Sequence, residues 1–301
     1  MTRTARGRVG AAVAAAGTAV ALVALAPAGA AGATVVSCGM EVSRSIALTA
    51  DLACPASDGL VVTGRSGIVI DLKGHTITGG GTPYNGVLVR SGSSRVEVRN
   101  GTVTGFEYGV RLDESSANRA WNLTLTGNRR GVDVANASGN TIERNRISGN
   151  SGDAVKMDGA SNGNKVLQNV VSANTFGISV AGGSGNQVAQ NTATGPGAFG
   201  VWVTGSASST TVSRNSVSGT SGDGIVVDSS VAGTVLTQNS TSGNLGDGID
   251  AGAVGTKLGS NVAVGNVGWG IAAVAGVDDL GGNKAAGNLA GQCQVVVCGT
   301  P

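Results

Sequence analysis

Thr141-Ile142-Glu143-Arg144-Asn145-Arg146-Ile147-Ser148-Gly149-Asn150 decides the fold. Its phrase, an apolar residue, two residues, Asn, one residue and then a small or apolar residue, returns at Val166/Asn169/Val171, Val188/Asn191/Ala193 and Val212/Asn215/Val217. It continues at Leu236/Asn239/Thr241, Leu258/Asn261/Ala263 and Leu280/Asn283/Ala285. A second phrase, Gly followed by alternating residues, begins each unit at Gly86, Gly109, Gly131, Gly177, Gly200, Gly224, Gly248 and Gly270, with Ala154 filling the one gap. Successive members of that series lie 22 to 24 residues apart, and a fixed period of that size marks a solenoid.

Within one period, Gly59–Thr63, Ile68–Leu72 and His75–Gly79 are three short alternating runs separated by Gly, Ser and Asn, each of strand length. No run has apolar residues three and four apart over three turns, which excludes a helical solenoid. The sequence therefore predicts an all-β, single-domain, right-handed parallel β-helix with three strands per coil and about 9–10 coils. The inward positions are the first and third after Gly, as in Val132/Val134 and Ile178/Val180. The Asn falls between the second and third strands, where its amide can pair with the coils on either side. Asn145, Asn169, Asn191, Asn215, Asn239, Asn261 and Asn283 are thus predicted to form a structural ladder.

Residues 1–33 differ in kind: Arg3, Arg6 and Arg8 precede an Ala/Val/Leu run that ends in Ala31-Gly32-Ala33, the pattern of a secretory signal peptide. A membrane anchor needs about 20 strongly apolar residues, and the run is short and Ala-rich for that. The predicted layout is signal peptide 1–33, N-terminal cap 34–58, β-helix 59–288 and C-terminal cap 289–301. The mature protein is expected to be secreted, monomeric and without a membrane span. Cleavage removes three of the 20 Lys and Arg and none of the 18 acids, turning a formal charge of +2 into −1. Nucleic-acid binding loses its compositional basis. Glycine and proline make up 57 of 301 residues with no G-X-Y period, which argues against low complexity. Cys38 with Cys54 and Cys293 with Cys298 form two local pairs, read as disulfides in the caps of an exported protein.

Asp71-Leu72-Lys73-Gly74-His75-Thr76-Ile77-Thr78-Gly79, the Asn ladder and the Cys38/Cys54 opening together resemble the secreted pectin-lyase-like right-handed β-helix proteins. The resemblance covers about residues 35 to 298 and implies the fold. For function it implies a range: pectate and alginate lyases, polygalacturonases, epimerases and members without activity. The complete set of Asn-Thr-Asp, Asp-Asp and Gly-His-Gly found in polygalacturonases is absent, as is the Asp-Pro-His-Asp of alginate epimerases, which disfavours those two activities. In the lyases of this fold the active site lies on the outer face of the first sheet.

On that face, alternation turns the second and fourth positions of each first strand outward. Charges concentrate between about residues 90 and 158, and Arg111, Asp133 and Lys156 occupy the same position in three successive coils. Such a row suits an acidic polysaccharide, because Arg pairs with a uronate carboxylate while a base, Arg or Lys, removes the neighbouring proton. These three are the candidate catalytic residues of a lyase. Arg90, Asp113, Arg130, Asp158, Phe176, Phe199 and Trp202 are the candidate binding residues, the aromatics as a stacking platform. A solvated row of alternating charges and a structural aromatic stack are the alternatives, and with them a non-catalytic glycan-binding or structural β-helix. Asp223 and Asp247 occupy equivalent turns of adjacent coils and are a candidate Ca²⁺ site; no other cofactor is expected. Asn122, Asn136 and Asn239 begin Asn-x-Ser/Thr triplets, but Asn122 and Asn239 are read as ladder positions, so the matches are taken as chance.

Overall fold

The computed structural model describes residues 36–301, and the proposed signal peptide lies outside them. The described chain is a right-handed parallel β-solenoid of about 11 turns with no helix. One coil shows the construction. Arg130–Ala135 lies in the first sheet, Thr141–Glu143 in the second and Arg146–Ser148 in the third, and the next coil repeats them as Asp153–Asp158, Lys165–Leu167 and Val170–Ser172. Pairing is parallel and like stacks on like, with Val132 against Val155, Ile142 against Val166 and Ile147 against Val171. All six are fully buried, which closes the core at every coil and contributes about 1.5–3 kcal/mol per side chain.

The Asn ladder forms as the spacing predicts. Asn145 Nδ2 donates to Ala120 O and Asn169 Oδ1, both at 3.0 Å, while Asn145 Oδ1 accepts the Leu123 amide at 2.9 Å. The seven ladder asparagines from Asn145 to Asn283 are all buried. Two further ladders, not anticipated from the sequence, run up the other corners. Asn118, Asn140, Asn164 and Asn186 line the corner between the first and second sheets. Asn128, Asn150 and Asn174, then Asn244, Asn266 and Asn288, line the corner after the third. At the first corner the ladder passes to Thr210, Thr234 and Thr256, whose buried hydroxyls have no partner.

Three expectations change. Residues 40–54 are a complete coil rather than a cap outside the repeat: Met40–Glu41, Ile46–Ala47 and Leu52–Cys54 each pair in parallel with the coil above. Runs of two and three residues are too short to display alternation, so the repeat is hidden there. The Cys38–Cys54 disulfide closes this coil. At the other end Gly291–Cys293 continues the first sheet, and the Cys293–Cys298 disulfide holds Val296 over the core. Leu280, placed inward by the periodicity, is 56% exposed. A register shift after Leu258 sets Asp279 opposite it, and Gly281 and Gly282, both at positive φ, absorb the extra residue. Finally, Asn122 is exposed and pairs with Asn100; the neighbouring Leu123 amide occupies the ladder step.

Candidate functional site on the first sheet

The register of the first sheet brings the predicted row together. Arg111 stands opposite Asp133 and Asp133 opposite Lys156, followed by Ser179, Trp202, Val226 and Asp250 at the same position of successive coils. Adjacent members are separated by about 4.8 Å, the inter-strand distance.

The row is not uniformly exposed. Asp133 is 2% exposed although it points outward, because arginines fold over it. Arg130 Nη1 donates to Asp133 Oδ1 at 2.7 Å, and Arg130 Nε lies 3.2 Å from Asp153 Oδ2. Ser179 Oγ donates to the other Asp153 oxygen at 2.5 Å. Burial pushes the Asp133 carboxyl above its usual range, with the Arg130 charge and hydrogen bond opposing. The Arg111 guanidinium rests 4.8 Å over the Tyr108 ring and Arg130 at 5.7 Å, so one phenol seats two cations. Burial raises the Tyr108 hydroxyl above its ordinary pKa, with the Asp133 and Glu107 charges adding to the effect.

Arg111 and Lys156, on either side of Asp133, are held differently. Arg111 approaches Asp113 at 3.6 Å and Asp133 at 3.8 Å, and its buried Nε has no hydrogen-bond acceptor. Lys156 lies 3.7 Å from Asp158. These distances are charge attraction without a hydrogen bond, which leaves both cations with donors to offer. Arg90 donates from Nε to Thr63 Oγ1 at 3.3 Å, two coils below Asp133.

Two coils above Lys156, the predicted aromatic cluster assembles. The Trp202 ring lies 5.3 Å from Phe199 and 6.3 Å from Phe176. Trp202 Nε1 donates to Asp228 Oδ1 at 3.0 Å, and Thr204 Oγ1 donates to the other Asp228 oxygen. Asp228 thereby fixes the indole, a role the sequence analysis did not assign. The signal was present, since Asp228 lies in the next coil at the fourth position of the same strand.

Asp223 and Asp247 use their carboxylates on the backbone of the coil above. Asp223 Oδ1 accepts the Asp247 amide at 2.6 Å and Asp247 Oδ1 the Trp269 amide at 2.5 Å. Among the described residues no group of three or more His, Cys, Asp or Glu is arranged to hold a metal ion. Asp250 faces these acids without a hydrogen-bond donor. Half-burial, then the charges of Asp223, Asp247 and Asp228, push its carboxyl up to about 6. Because the folded value exceeds the unfolded 3.8, stability is lost as pH rises between about 4 and 6. Asp250→Asn is expected to remove that dependence and to raise stability at pH 7 by about 1 kcal/mol once solvent screening is allowed for. Melting curves of both proteins at pH 4 and pH 7 check this; identical pH dependence would refute it.

A groove of about 390 Å³ lies elsewhere, at the corner between the third and first sheets, against Gly80, Thr82, Phe106, Gly127 and Arg129. Its only charge, Arg129, is paired with Glu107 at 3.0 Å. The open face of the first sheet carries the greater chemical capacity.

Comparison with known structures shows the same architecture. The chain aligns with the Dettilon tailspike protein at a TM-score of 0.60 and 16% identity, covering 84% of this chain and 60% of that one. It thus spans less than two thirds of the tailspike. A pectate lyase aligns at 0.55 and 14% identity, over 77% of this chain and 72% of its own. The A-module of an Azotobacter vinelandii mannuronan C-5 epimerase aligns at 0.55 and 13% identity, over 85% and 91%. At these identities the likeness establishes the fold. Comparison with characterised protein sequences gives no match. The sequence does match the right-handed β-helix region family over residues 53–193 and 175–289, together most of the chain. The chain belongs to the right-handed β-helix family.

Proposed function

We propose that the protein acts outside the cell and binds an acidic polysaccharide along the outer face of the first sheet. The observation that carries this is the pair Arg111 and Lys156, which flank the buried Asp133 and make no hydrogen bond of their own. A uronate carboxylate supplies the acceptors that both lack. The Phe176–Phe199–Trp202 cluster, about two coils away, is placed to stack on the apolar face of a sugar further along the same chain. A tailspike, a pectate lyase and an alginate-modifying epimerase among the structural neighbours agree with a polysaccharide ligand.

The finer form of this reading is cleavage by β-elimination. One of Arg111 and Lys156 pairs with the carboxylate; the other, in its unprotonated form, takes the proton from the adjacent carbon as the C–O bond on the next carbon breaks, and passes that proton to the departing glycosidic oxygen. Asp133, at 2% exposure, then acts through Arg111 and Arg130 by holding them in place. The alternative, binding without cleavage, is favoured by the burial of the only carboxylate in the Arg111–Lys156 row.

Calorimetric titration with pectate, alginate and a neutral glucan, with and without calcium, tests the binding, and ultraviolet absorbance of unsaturated uronate tests the cleavage. Trp202→Ala is expected to weaken binding about tenfold, equivalent to roughly 1.4 kcal/mol for one aromatic contact. Lys156→Ala should weaken binding of the acidic chains alone and flatten its salt dependence. Equal affinity for neutral and acidic chains, or wild-type affinity in both variants, would overturn the proposal.

A further inference from the structure

The outer face of the third sheet differs from the other two and takes no part in the site above. At the third position of its strands, eight successive coils present a hydroxyl in unbroken register from Thr78 to Ser242. The first position of the same strands adds a second column, from Thr76 to Ser240, interrupted only by Arg146 and Val170. No carboxylate stands in either column. None of these hydroxyls hydrogen-bonds to another described residue. The second sheet is the contrast: its outer face is knit by ion pairs such as Arg99–Asp71 and Arg119–Glu143.

The array is also held rigid. From Arg146 onward the strands begin just after an Asn of the Asn145–Asn283 ladder, and those ending at Ser148, Ser172 and Ser242 also end just before a buried corner Asn, at Asn150, Asn174 and Asn244. Threonine adds stiffness at χ1. Hydroxyls within a column therefore repeat at about 4.8 Å, and the two columns stand about 6.6 Å apart along the strand. Water has a matching length. Two oxygens bonded to a common third at roughly 2.75 Å across a tetrahedral angle lie roughly 4.5 Å apart.

From this face we propose that the third sheet binds ice, its hydroxyl columns taking places in an ordered layer of water. A neutral partner fits a face with one arginine and no acid among its hydroxyls. A polysaccharide surface is the less suited of the neutral partners, because the two hydroxyl columns contain no aromatic ring to stack on a sugar, whereas the first sheet provides three. The interval of the columns is set by the backbone, so it belongs to the fold, while their hydroxyl content belongs to this sequence.

The test is partition of the purified protein between slowly grown polycrystalline ice and the remaining liquid, beside a control protein of similar size. Wild type is expected to be enriched in the ice several-fold over the control. Thr194→Tyr and Ser242→Tyr, each placing a bulky ring on an exposed position without partners, should lose the enrichment while melting as wild type does. Trp202→Ala should keep it, which separates this face from the proposed glycan site. Exclusion of wild type from ice, or equal enrichment of the tyrosine variants, overturns the proposal. So does exclusion from ice combined with retention on insoluble cellulose that the same variants abolish, an outcome that would reassign the face to a polysaccharide.

Discussion

Asn191→Ala is expected to destabilise the solenoid by about 3–5 kcal/mol, because several buried groups lose their partners at once and each costs about 1–3 kcal/mol unpaired. Asn191 Nδ2 donates to Val166 O at 2.8 Å, Ala189 O at 3.1 Å and Asn215 Oδ1 at 3.0 Å. Its Oδ1 accepts both the amide and the side-chain Nδ2 of Asn169, at 2.9 and 3.0 Å. Alanine strands the Asn169 backbone amide and the Val166 carbonyl, on residues 0–1% exposed. Because each coil touches only its neighbours, the damage should be local first. Hydrogen exchange should accelerate in the coils around residues 166 to 215 before the ends respond, and the urea midpoint should fall. A variant that melted as wild type does, with weakened glycan binding, would assign the ladder to the function instead.

Gly177→Ala should cost about 3 kcal/mol. A Cβ at Gly177 would lie 2.0 Å from the carbonyl oxygen of Gly200, 2.8 Å from its carbon and 3.0 Å from Phe199 O. All three are backbone atoms, so no rotamer change relieves the clash. The Gly177 amide already donates to Phe199 O at 2.8 Å, and prying the coils apart would strain that bond and shift Phe199 beneath Trp202. Gly163→Ala is the control. Gly163 has a positive φ, 61°, which Gly177 does not, and nothing within 4 Å of its Cβ, so it should lose only the roughly 1–2 kcal/mol of a left-handed alanine. Urea titrations of the two variants check the difference. A loss at Gly177 no larger than that at Gly163 would mean that the neighbouring coil gives way to the added Cβ, and that close approach is not what selects glycine in this column.

The repeat was legible because one residue type at one period has few structural explanations. A buried amide can serve its own coil and both neighbours, so Asn145 and its equivalents stitch that corner in every coil from Asn145 to Asn283. The other two ladders obey the same logic yet were overlooked. Asn118 and Asn140 stand among Ser, Ala and Gly, and Asn150 directly follows the turn glycine Gly149, so both resemble ordinary turn residues. The first coil and the Leu280 bulge escaped for another reason. Strands of two or three residues carry too little alternation to fix a register, and one inserted residue reverses which side chain faces inward.

For the candidate site, alternation placed Arg111, Asp133 and Lys156 in one outward row, and the register agrees. Alternation carries no information on what covers a residue. Asp133 is buried because Arg130, three residues before it on the same strand, folds back over the carboxylate, with Tyr108 of the preceding coil beneath the guanidinium. Likewise, Phe176, Phe199 and Trp202 were placed near one another by period, but the hydrogen bond that orients Trp202 comes from Asp228 in the next coil.

The Asn145 phrase and its period by themselves determined the architecture, since a buried amide repeated at every coil and alternating apolar residues leave only a three-sided parallel solenoid. The tertiary structure decided which outward charges remain open. Arg130 and Arg111 lie over one face of the same acid, and only their folded positions settle that the first is fully engaged while the second keeps donors for a ligand. That division follows from the physics: periodicity fixes where the backbone goes, whereas long charged side chains choose among several neighbours within reach.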